Sequence, residues 1–284
     1  MATPFFKDES INFEGFGNNI EHNIKSGVHG LMVAGALGEY LTMTFEERKS
    51  LVEHASKVID HRVPFVVGGI AHRTKDVVDI ANHAATFGAA GVMILPPPGT
   101  GLMEDEIIAF YKDVTSSITI PVLLYNNPGS SGMDMDFDVI SQIAGFPNVD
   151  AIKESSGDIK RITRIATDLT GELTPFCGWE DMHHESFLAG AQGWVCMGAN
   201  FAPGLTKDLF ELCQQGDWVS ARELTAIYNP LARYMETAGK VTQTTKYIMD
   251  KVGLNGGYVR SPRLPLNEQE KKNIDAILKK IDLY

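Results

Sequence analysis

The chain has 284 residues, of which 44% are hydrophobic, and its formal net charge at pH 7 is −11. A chain of this size can bury a sizeable core, and α/β barrels commonly reach this length as one domain. The acidic balance, with no cluster of lysines and arginines, argues against nucleic acid and anionic membranes as partners.

Cysteine usage and the start of the chain predict the compartment. Cys177, Cys196 and Cys213 form neither a CxxC pair nor an even set, so we expect core thiols in a reducing cytoplasm. No apolar run approaches the roughly 20 residues of a membrane span, and MATPFFKDES does not have the charged start and apolar stretch of a leader peptide. We therefore expect a cytoplasmic protein that is neither exported nor anchored.

Apolar runs of strand length recur along the chain. Residues 2–6 (ATPFF) are interpreted as the end of a first strand, although few residues precede Thr3 to complete it. Seven further strands are predicted at residues 28–35, 64–70, 91–98, 121–128, 149–156, 173–179 and 193–200.

Helical patterns alternate with these strands. Residues 44–59 open with a capping box of Thr44 and Glu47 and then space their apolar residues at the helical period. The other predicted helices are residues 11–27, 74–87, 104–118, 134–144 and 158–169.

This alternation predicts the fold class. Strands that are apolar almost throughout indicate a parallel sheet covered on both faces, and eight β/α units favour a closed (β/α)8 TIM barrel over an open doubly wound sheet. After residue 203 we find helical patterns and no strand of comparable quality. We therefore expect an α/β barrel over residues 1–215 and a C-terminal helical extension over residues 216–284, packed on the barrel without a Gly/Ser linker.

Two polar side chains lie where the chemistry of such a barrel takes place, at the C-terminal ends of the strands. Lys153 and Tyr125 end neighbouring predicted strands, whose backbones would run about 4.8 Å apart. Because side chains alternate along a strand, Lys153 shares a face with Val149, Ala151 and Ser155, and Tyr125 shares one with Pro121, Leu123 and Asn127. If both faces point inward, an amine and a phenol share one pocket.

Such a pair is suited to Schiff-base catalysis. A poorly solvated amine is more often neutral and nucleophilic, so Lys153 would attack the ketone of a substrate while Tyr125 moves protons. The alternative is that Lys153 reaches out to solvent and Tyr125 packs in the core, which from position alone is the more common arrangement.

A glycine turn adds a possible anion site. Gly35 and Gly38 lie between a predicted strand and a capped helix, where free backbone N–H groups and the positive end of the helix could hold a substrate carboxylate. Any tight turn between a strand and a helix also uses glycines, so the pattern alone is weak.

Four motifs, in order and spacing, resemble those of the dihydrodipicolinate synthase and N-acetylneuraminate lyase family. They are GALGE at 35–39, YNNPGSSG at 125–132, KESSGD at 153–158 and GWEDM at 178–182. TPF at 3–5 and VRSPRLPL at 259–266 resemble the two ends of that family, so the resemblance covers essentially the whole chain.

The resemblance implies a (β/α)8 barrel with a C-terminal helical extension, a homo-oligomer (tetramer or dimer), class I aldolase chemistry and no cofactor. Lys153 matches the Schiff-base lysine and Tyr125 the proton-shuttling tyrosine. The substrate-binding positions that it implies are Gly35, Ala36, Leu37, Gly38, Ser155, Gly178, Glu180 and Asp181.

The chain also departs from the family pattern. Ala36 and Leu37 stand where two hydroxyl residues commonly help to hold a pyruvate-type carboxylate, so backbone N–H groups would have to do more of this. Ser130 stands where the synthases carry an arginine for the carboxylate of the aldehyde substrate, and Pro98 and Gly99 stand where they carry a tyrosine pair. These losses argue against the synthase reaction and favour the lyase side of the family.

For the far end of the substrate, Glu180 and Asp181 match positions at which sugar-acid lyases bind hydroxyl groups, as carboxylate acceptors can. The two acids could equally well open the helix that follows, since acids favour a helix N-terminus. His72 and Arg73 could contact a second carboxylate, but an arginine on a solvated loop is the simpler interpretation.

Other classes of enzyme fit less well. His183 and His184 are adjacent on a predicted helix and point about 100° apart, so they cannot chelate one metal ion as residues at i and i+4 would. PGSSG lacks the nucleophile-elbow pattern, and the glycine-rich stretches match no nucleotide-binding fingerprint.

The expected function is therefore a cofactor-free lyase that forms an imine between Lys153 and a 2-oxo acid. It would release pyruvate by aldol cleavage, or the reverse, or dehydrate a 2-keto-3-deoxy sugar acid. The alternatives are a synthase-type condensation of pyruvate with an aldehyde and a catalytically silent barrel that binds a 2-oxo acid, which Ala36 and Leu37 motivate and which the pairing of Lys153 with Tyr125 opposes.

Overall fold

The structure, a computed structural model, describes residues 1–281 and alternates strands with helices along most of its length. It divides into two compact units. The first unit comprises Met1–Val63 and the described residues from Cys196 onward, and the second comprises Pro64–Val195.

The second unit is a parallel sheet with a helix after almost every strand. Its strands are β2 (Phe65–Gly68), β3 (Gly91–Ile94), β4 (Val122–Asn126), β5 (Val149–Glu154), β6 (Thr174–Cys177) and β7 (Gly193–Trp194). Each strand pairs in parallel with the next one in the chain. Buried side chains occupy both faces of β3 and β4, as a sheet covered on both sides requires. Those on one face are Val92, Ile94, Val122 and Leu124, and those on the other are Met93 and Tyr125.

The helices of this unit follow the strands in order. They are α3 (Thr74–Thr86), α4 (Glu104–Ser117), α5 (Pro128–Ser131), α6 (Phe137–Ala144), α7 (Ile159–Asp168) and α8 (His183–Leu188), with a 3-10 helix at Glu180–Met182. Their buried residues recur every three or four positions, which gives each helix one apolar side for the sheet.

The first unit carries β1 (Leu31–Val33) and the remaining helices. These helices are α1 (Phe13–Lys25), α2 (Phe45–Ile59), α9 (Pro203–Gln214), α10 (Trp218–Thr237), α11 (Val241–Lys251) and α12 (Glu268–Lys280), with 3-10 helices at Tyr40–Thr42 and Gly198–Asn200. The capping box predicted for α2 is present, since Thr44 Oγ1 accepts the N–H of Glu47 and the Glu47 carboxylate accepts that of Thr44.

The seven later strands lie within the predicted stretches but are shorter than predicted, and in all but β5 the residues left out include a glycine or a proline. The expectation of an additional strand at residues 2–6 was wrong. Phe5 forms only isolated antiparallel bridges, with Ile11 and Tyr258, so the chain reverses there and does not extend into a ladder.

The predicted boundary between barrel and extension stays a prediction. It falls in the turn at Gly216 that separates α9 from α10.

Among residues 1–281, no helix has both the length and the apolar character that crossing a membrane would take.

Candidate active site

Lys153 and Tyr125 lie side by side at the C-terminal ends of β5 and β4. Parallel pairing aligns Tyr125 with Lys153, and Lys153 in turn with Phe176 on β6. The Lys153 Nζ atom lies 4.3 Å from the centroid of the Tyr125 ring. Tyr125 is 3% exposed and Lys153 is half-buried, so a partly desolvated amine faces the ring of a buried phenol. An amine beside a phenol at the ends of two neighbouring strands provides the nucleophile and the proton-transfer group that imine chemistry requires.

Gly178 makes room for the lysine. A Cβ atom on Gly178 would lie 1.9 Å from Ser155 Oγ and 2.7 and 2.8 Å from Lys153 Cγ and Cε. The Ser155 hydroxyl donates to the Gly178 carbonyl at 2.9 Å, and the Gly178 N–H donates to the Glu154 carbonyl at 2.9 Å. Gly178 and Ser155, both named from the sequence, therefore lie against Lys153, although their contact with a substrate stays a prediction.

Gly178→Ala is expected to displace both neighbours. The added methyl group must push away Lys153 and Ser155, which should lower the rate of any chemistry at Lys153 by about 10²-fold and destabilise the fold by about 1–3 kcal/mol. Borohydride-trapping rates and urea unfolding would measure the two effects. Gly204→Ala is the matched control, since nothing lies within 4 Å of its Cβ position. Wild-type rates in Gly178→Ala would contradict this account of Lys153.

The opposite faces of the two strand ends are tied together. The Asn126 amide donates to Glu154 Oε2 and to Asp134 Oδ1, both at 3.0 Å, and Arg161 donates to Asp134 at 2.6 Å. Burial raises the pKa of Glu154, against hydrogen bonds from Ser156 and Asn126 that lower it. Since Asn126 and Glu154 follow Tyr125 and Lys153 directly, this network fixes the register in which the amine meets the phenol. Sequence reasoning did not assign these residues.

A second missed contact involves the phenol itself. Asn127 Nδ2 lies 2.7 Å from Tyr125 Oη, as a donor. The alternation along the strand already placed Asn127 on the same face as Tyr125, so the signal was present in the sequence, but the bond depends on the turn that begins at Pro128.

Cys177 directly precedes Gly178 but is not part of the reactive pair of Lys153 and Tyr125. Its thiol is fully buried at the end of β6, and burial raises its pKa to about 12. The thiol contacts the Trp179 carbonyl oxygen at 3.2 Å. Cys177, Cys196 and Cys213 are all free, and the first and third are buried.

Glu180 and Asp181 begin the 3-10 helix that follows β6 and leads into α8. Glu180 is 1% exposed, and its carbonyl oxygen lies 2.9 Å from His183 Nδ1. Asp181 is half-buried. The two acids do begin a helix, as one interpretation of the sequence has it. Glu180 is also more buried than a solvated helix start requires, so the other interpretation, binding of substrate hydroxyl groups, stays open. Their contact with substrate hydroxyls stays a prediction.

His183, one of the two adjacent histidines that were judged unable to chelate one metal ion, packs against an aromatic ring. The His183 ring stacks on Trp194, with centroids 4.4 Å apart, and burial lowers the pKa of His183. Over residues 1–281, no group of three or more His, Cys, Asp or Glu side chains is arranged to hold a metal ion.

The Gly35–Gly38 turn belongs to the first unit. Gly35 and Gly38 are buried, Ala36 is exposed and Leu37 is half-buried. The turn closes through a hydrogen bond from the Glu39 N–H to the Ala36 carbonyl at 3.0 Å. Over the described part of the chain, the N–H groups of Ala36 and Leu37 donate no hydrogen bond. They are therefore free to bind an anion, and this role stays a prediction.

The turn lies between β1 and the capped helix α2, as expected from the sequence. The 3-10 helix Tyr40–Thr42 separates the turn from Thr44, which caps α2. Ala34 and Glu39 adopt the left-handed conformation, with φ of 55° and 61°, so the turn is bounded by two residues held in unusual backbone geometry.

Of the positions at which the chain departs from the family pattern, Ser130 lies in the short helix α5, and Pro98 and Gly99 lie in a turn. Ser130 is exposed, and its N–H is bound by the Asn127 side chain. Gly99 has φ of 71° and donates its N–H to the Ser131 carbonyl. Arg73 is 76% exposed and pairs with Asp76, as the solvated-loop interpretation has it, and a role for His72 and Arg73 in binding a carboxylate stays a prediction.

The comparisons with known proteins agree with this geometry. The model of the dihydrodipicolinate synthetase family matches residues 1–281. The 4-hydroxy-tetrahydrodipicolinate synthase of Bartonella bacilliformis is 32% identical over 98% of this chain and 95% of its own length. That of Methanoculleus marisnigri is also 32% identical, over 98% of this chain and 96% of its own length.

Solved structures of the same family share the fold of this chain. YagE, a prophage protein of the dihydrodipicolinic acid synthase family from E. coli K12 in complex with pyruvate, is 26% identical, with a TM-score of 0.94 over 100% of this chain and 97% of that one. This likeness confirms the fold class expected from the sequence, an α/β (β/α)8 TIM barrel with a C-terminal helical extension. The chain therefore belongs to the dihydrodipicolinate synthetase family, and with it to the lyases and synthases of the class I aldolase type.

Proposed function

We propose that the enzyme is a lyase that binds a 2-oxo acid as an imine on Lys153 and cleaves or dehydrates a 2-keto-3-deoxy sugar acid. The observation that carries this proposal is the alignment of Lys153 with Tyr125 across neighbouring strands, with Nζ 4.3 Å from the ring centroid. Over residues 1–281, Nζ makes no hydrogen bond or ion pair, so the amine is available to a substrate.

The chemistry follows from these two groups. The amine of Lys153 attacks the ketone carbon C2. Tyr125 then gives its proton to the departing hydroxyl group, which leaves as water, so that Tyr125 becomes a phenolate and a protonated imine forms that draws electrons from C3. The C3–C4 bond can then break as the C4 hydroxyl gives up its proton to Tyr125, which releases an aldehyde and leaves an enamine. Protonation of the enamine at C3 and hydrolysis of the imine release pyruvate and restore the amine.

Dehydration begins from the same imine. The electron withdrawal that weakens the C3–C4 bond also acidifies the C3 proton, and loss of that proton with a neighbouring hydroxyl group eliminates water. The choice between the two outcomes depends on which substrate hydroxyl Tyr125 faces.

Three positions that depart from the synthase pattern favour a sugar acid over an aldehyde that carries a carboxylate. Ser130, Pro98 and Gly99 provide neither the arginine nor the tyrosine pair that the synthase pattern uses. The relatives named 4-hydroxy-tetrahydrodipicolinate synthase keep the condensation of pyruvate with an aldehyde as the alternative. Glu180 and Asp181 are proposed to accept hydrogen bonds from the hydroxyl groups of the sugar, and the Gly35–Gly38 turn to hold the carboxylate.

Borohydride trapping tests the proposal. The protein is reduced in the presence of pyruvate, of a panel of 2-keto-3-deoxy sugar acids, or of lactate, which has no ketone and serves as the control. Intact mass and peptide mapping should show a reduced adduct on Lys153 with the 2-oxo acids alone, and its mass identifies pyruvate, an intact sugar acid or a dehydrated one. If no 2-oxo acid leaves an adduct, the imine is wrong and the silent binding barrel becomes the better hypothesis.

We also propose that the enzyme works in the cytoplasm as a homodimer or homotetramer. Three free cysteines are consistent with a reducing compartment. Leu41 and Met103 are 59% and 68% exposed, and a subunit contact would remove these apolar side chains from water. A monomer in sedimentation experiments would contradict the assembly.

A further inference from the structure

The amide of Asn127 joins a turn to the phenol of Tyr125. Its Oδ1 atom accepts the N–H of Ser130 at 2.9 Å, which caps the short helix α5, and its Nδ2 atom lies 2.7 Å from Tyr125 Oη. The oxygen and nitrogen of an amide are told apart by their partners. Since the Ser130 N–H can only donate, the atom that faces it is the oxygen, and the atom that faces the phenol is the NH₂ group.

This orientation decides which way the phenol points its hydrogen. A phenol has one hydrogen to donate and lone pairs with which to accept. Because Asn127 supplies a hydrogen to Oη, the hydrogen of Tyr125 itself cannot lie along that bond and has to point elsewhere. The ring is buried and lies against Lys153, so the phenol keeps its hydrogen for a group that enters on the side of the amine.

The same bond helps when the proton has left. Once Tyr125 has given its proton to a substrate, Oη carries negative charge, and the hydrogen bond from Asn127 becomes charge-assisted and stronger. A donor that is fixed before the reaction begins stabilises this charge without having to reorient.

We propose that Asn127 is a positioning residue that sets the direction of proton transfer by Tyr125, holding the phenol as a donor toward the substrate. This inference rests on the proposed function, because it assigns a second residue to the proton transfers of the imine chemistry. Asn127 acts through Tyr125 and needs no contact with the substrate. Pro128 restricts the backbone of Asn127, and the Ser130 N–H binds its side-chain oxygen.

Asn127→Asp tests the direction of the bond with almost no change of shape. Aspartate caps a helix as well as asparagine does, so the turn is kept, but a carboxylate can only accept and would take the hydrogen of Tyr125 for itself. We expect kcat for pyruvate release at neutral pH to fall by about 10²-fold, with little change in KM. Asp217→Ala, which removes a similar cap from α10, is the control for loss of a cap and should leave kcat unchanged.

Two further readouts separate positioning from a structural role. As the pH falls toward about 4, where an aspartic acid takes up a proton, the carboxyl group becomes a donor again, and the activity of Asn127→Asp should recover relative to the wild type. A change that acts through the phenol should also have no further effect in a Tyr125→Phe background. The second readout excludes an effect of the new charge on the Lys153 amine, because that effect would persist without the phenol.

The outcomes are distinguishable. A wild type that turns over a sugar acid, beside a slow Asn127→Asp that recovers at low pH, supports the assignment. Wild-type kcat in Asn127→Asp, or a defect of equal size in the Tyr125→Phe background, overturns the role of Asn127 and leaves the imine intact. A wild type that forms no adduct on Lys153 overturns both.

Discussion

Lys153→Ala is expected to abolish the borohydride adduct and to lower pyruvate release from a sugar acid by at least about 10³-fold. The reason is that imine chemistry requires one nucleophilic amine, and no neighbouring group can replace a covalent bond to the substrate. Mass spectrometry after reduction, with a coupled assay for pyruvate, measures both effects.

Two companion variants sharpen this experiment. Lys153→Arg keeps the positive charge but not the nucleophile, because a guanidinium group stays protonated at neutral pH, so it should be as inactive as Lys153→Ala. Lys160→Ala removes an exposed lysine from the first turn of α7 and should behave as the wild type does. Appreciable turnover in Lys153→Arg would mean that the residue serves as a charge, and the Schiff-base mechanism would fail.

The sequence predicted the elements that local pattern determines. Strand β4 begins with the apolar run Val122–Leu124, and α2 begins at a capping box whose two hydrogen bonds both form. The pairing of Tyr125 with Lys153 followed from counting alternate residues on consecutive strands, because parallel strands joined by short helical connections lie next to each other.

What the sequence did not reveal depends on contacts between distant residues. Gly178, directly after β6, lies so close to Lys153 on β5 that a Cβ atom would not fit between them. No local sequence pattern encodes this contact. The hydrogen bond from Asn127 to the phenol oxygen of Tyr125 depends on the turn at Pro128, which directs the Asn127 side chain toward that oxygen. Phe5 was taken for part of a strand because a short apolar run looks alike whether it pairs in a ladder or only in bridges.

The sequence analysis also did not predict the buried ion pair between Lys246 and Glu39. Lys246 Nζ donates to Glu39 Oε1 at 2.5 Å, across 207 positions in the chain, and to the Tyr258 carbonyl at 2.6 Å. The side chains are 2% and 0% exposed. Lys246 Nζ also lies 4.5 Å from the centroid of the Phe5 ring, which the Arg260 guanidinium approaches as well, at 4.3 Å.

Lys246→Met should therefore destabilise the first unit more than any loss of a surface charge. Removing the lysine leaves the Glu39 carboxylate buried without its main partner, at a cost of about 3–5 kcal/mol in the free energy of unfolding. Urea or guanidinium unfolding measures it. Lys75→Met is the matched control, because Lys75 pairs with Asp79 but is 77% exposed, and its loss should cost less than about 1 kcal/mol.

The double variant Lys246→Met with Glu39→Gln separates an unpaired charge from lost packing. With both charges gone, no buried carboxylate is left alone, so much of the lost stability should return. If the double variant is as unstable as Lys246→Met, the cost comes from packing around Phe5 rather than from the ion pair.

The pH dependence gives an independent check with a definite sign. Burial lowers the pKa of Lys246 from 10.5 to about 8, although Glu39 opposes the shift. Between these two values the unfolded chain binds a proton at this lysine that the folded chain does not, so the contribution of Lys246 to stability rises with pH across the window and is smallest below it. Lys246→Met lacks this titration. The difference in unfolding free energy between wild type and variant should therefore grow from pH 8 toward 10.5, and a constant difference would mean that the lysine stays charged throughout.

Because Glu39 also bounds the Gly35–Gly38 turn in its left-handed conformation, the same ion pair fixes one end of the backbone that is predicted to hold the substrate carboxylate.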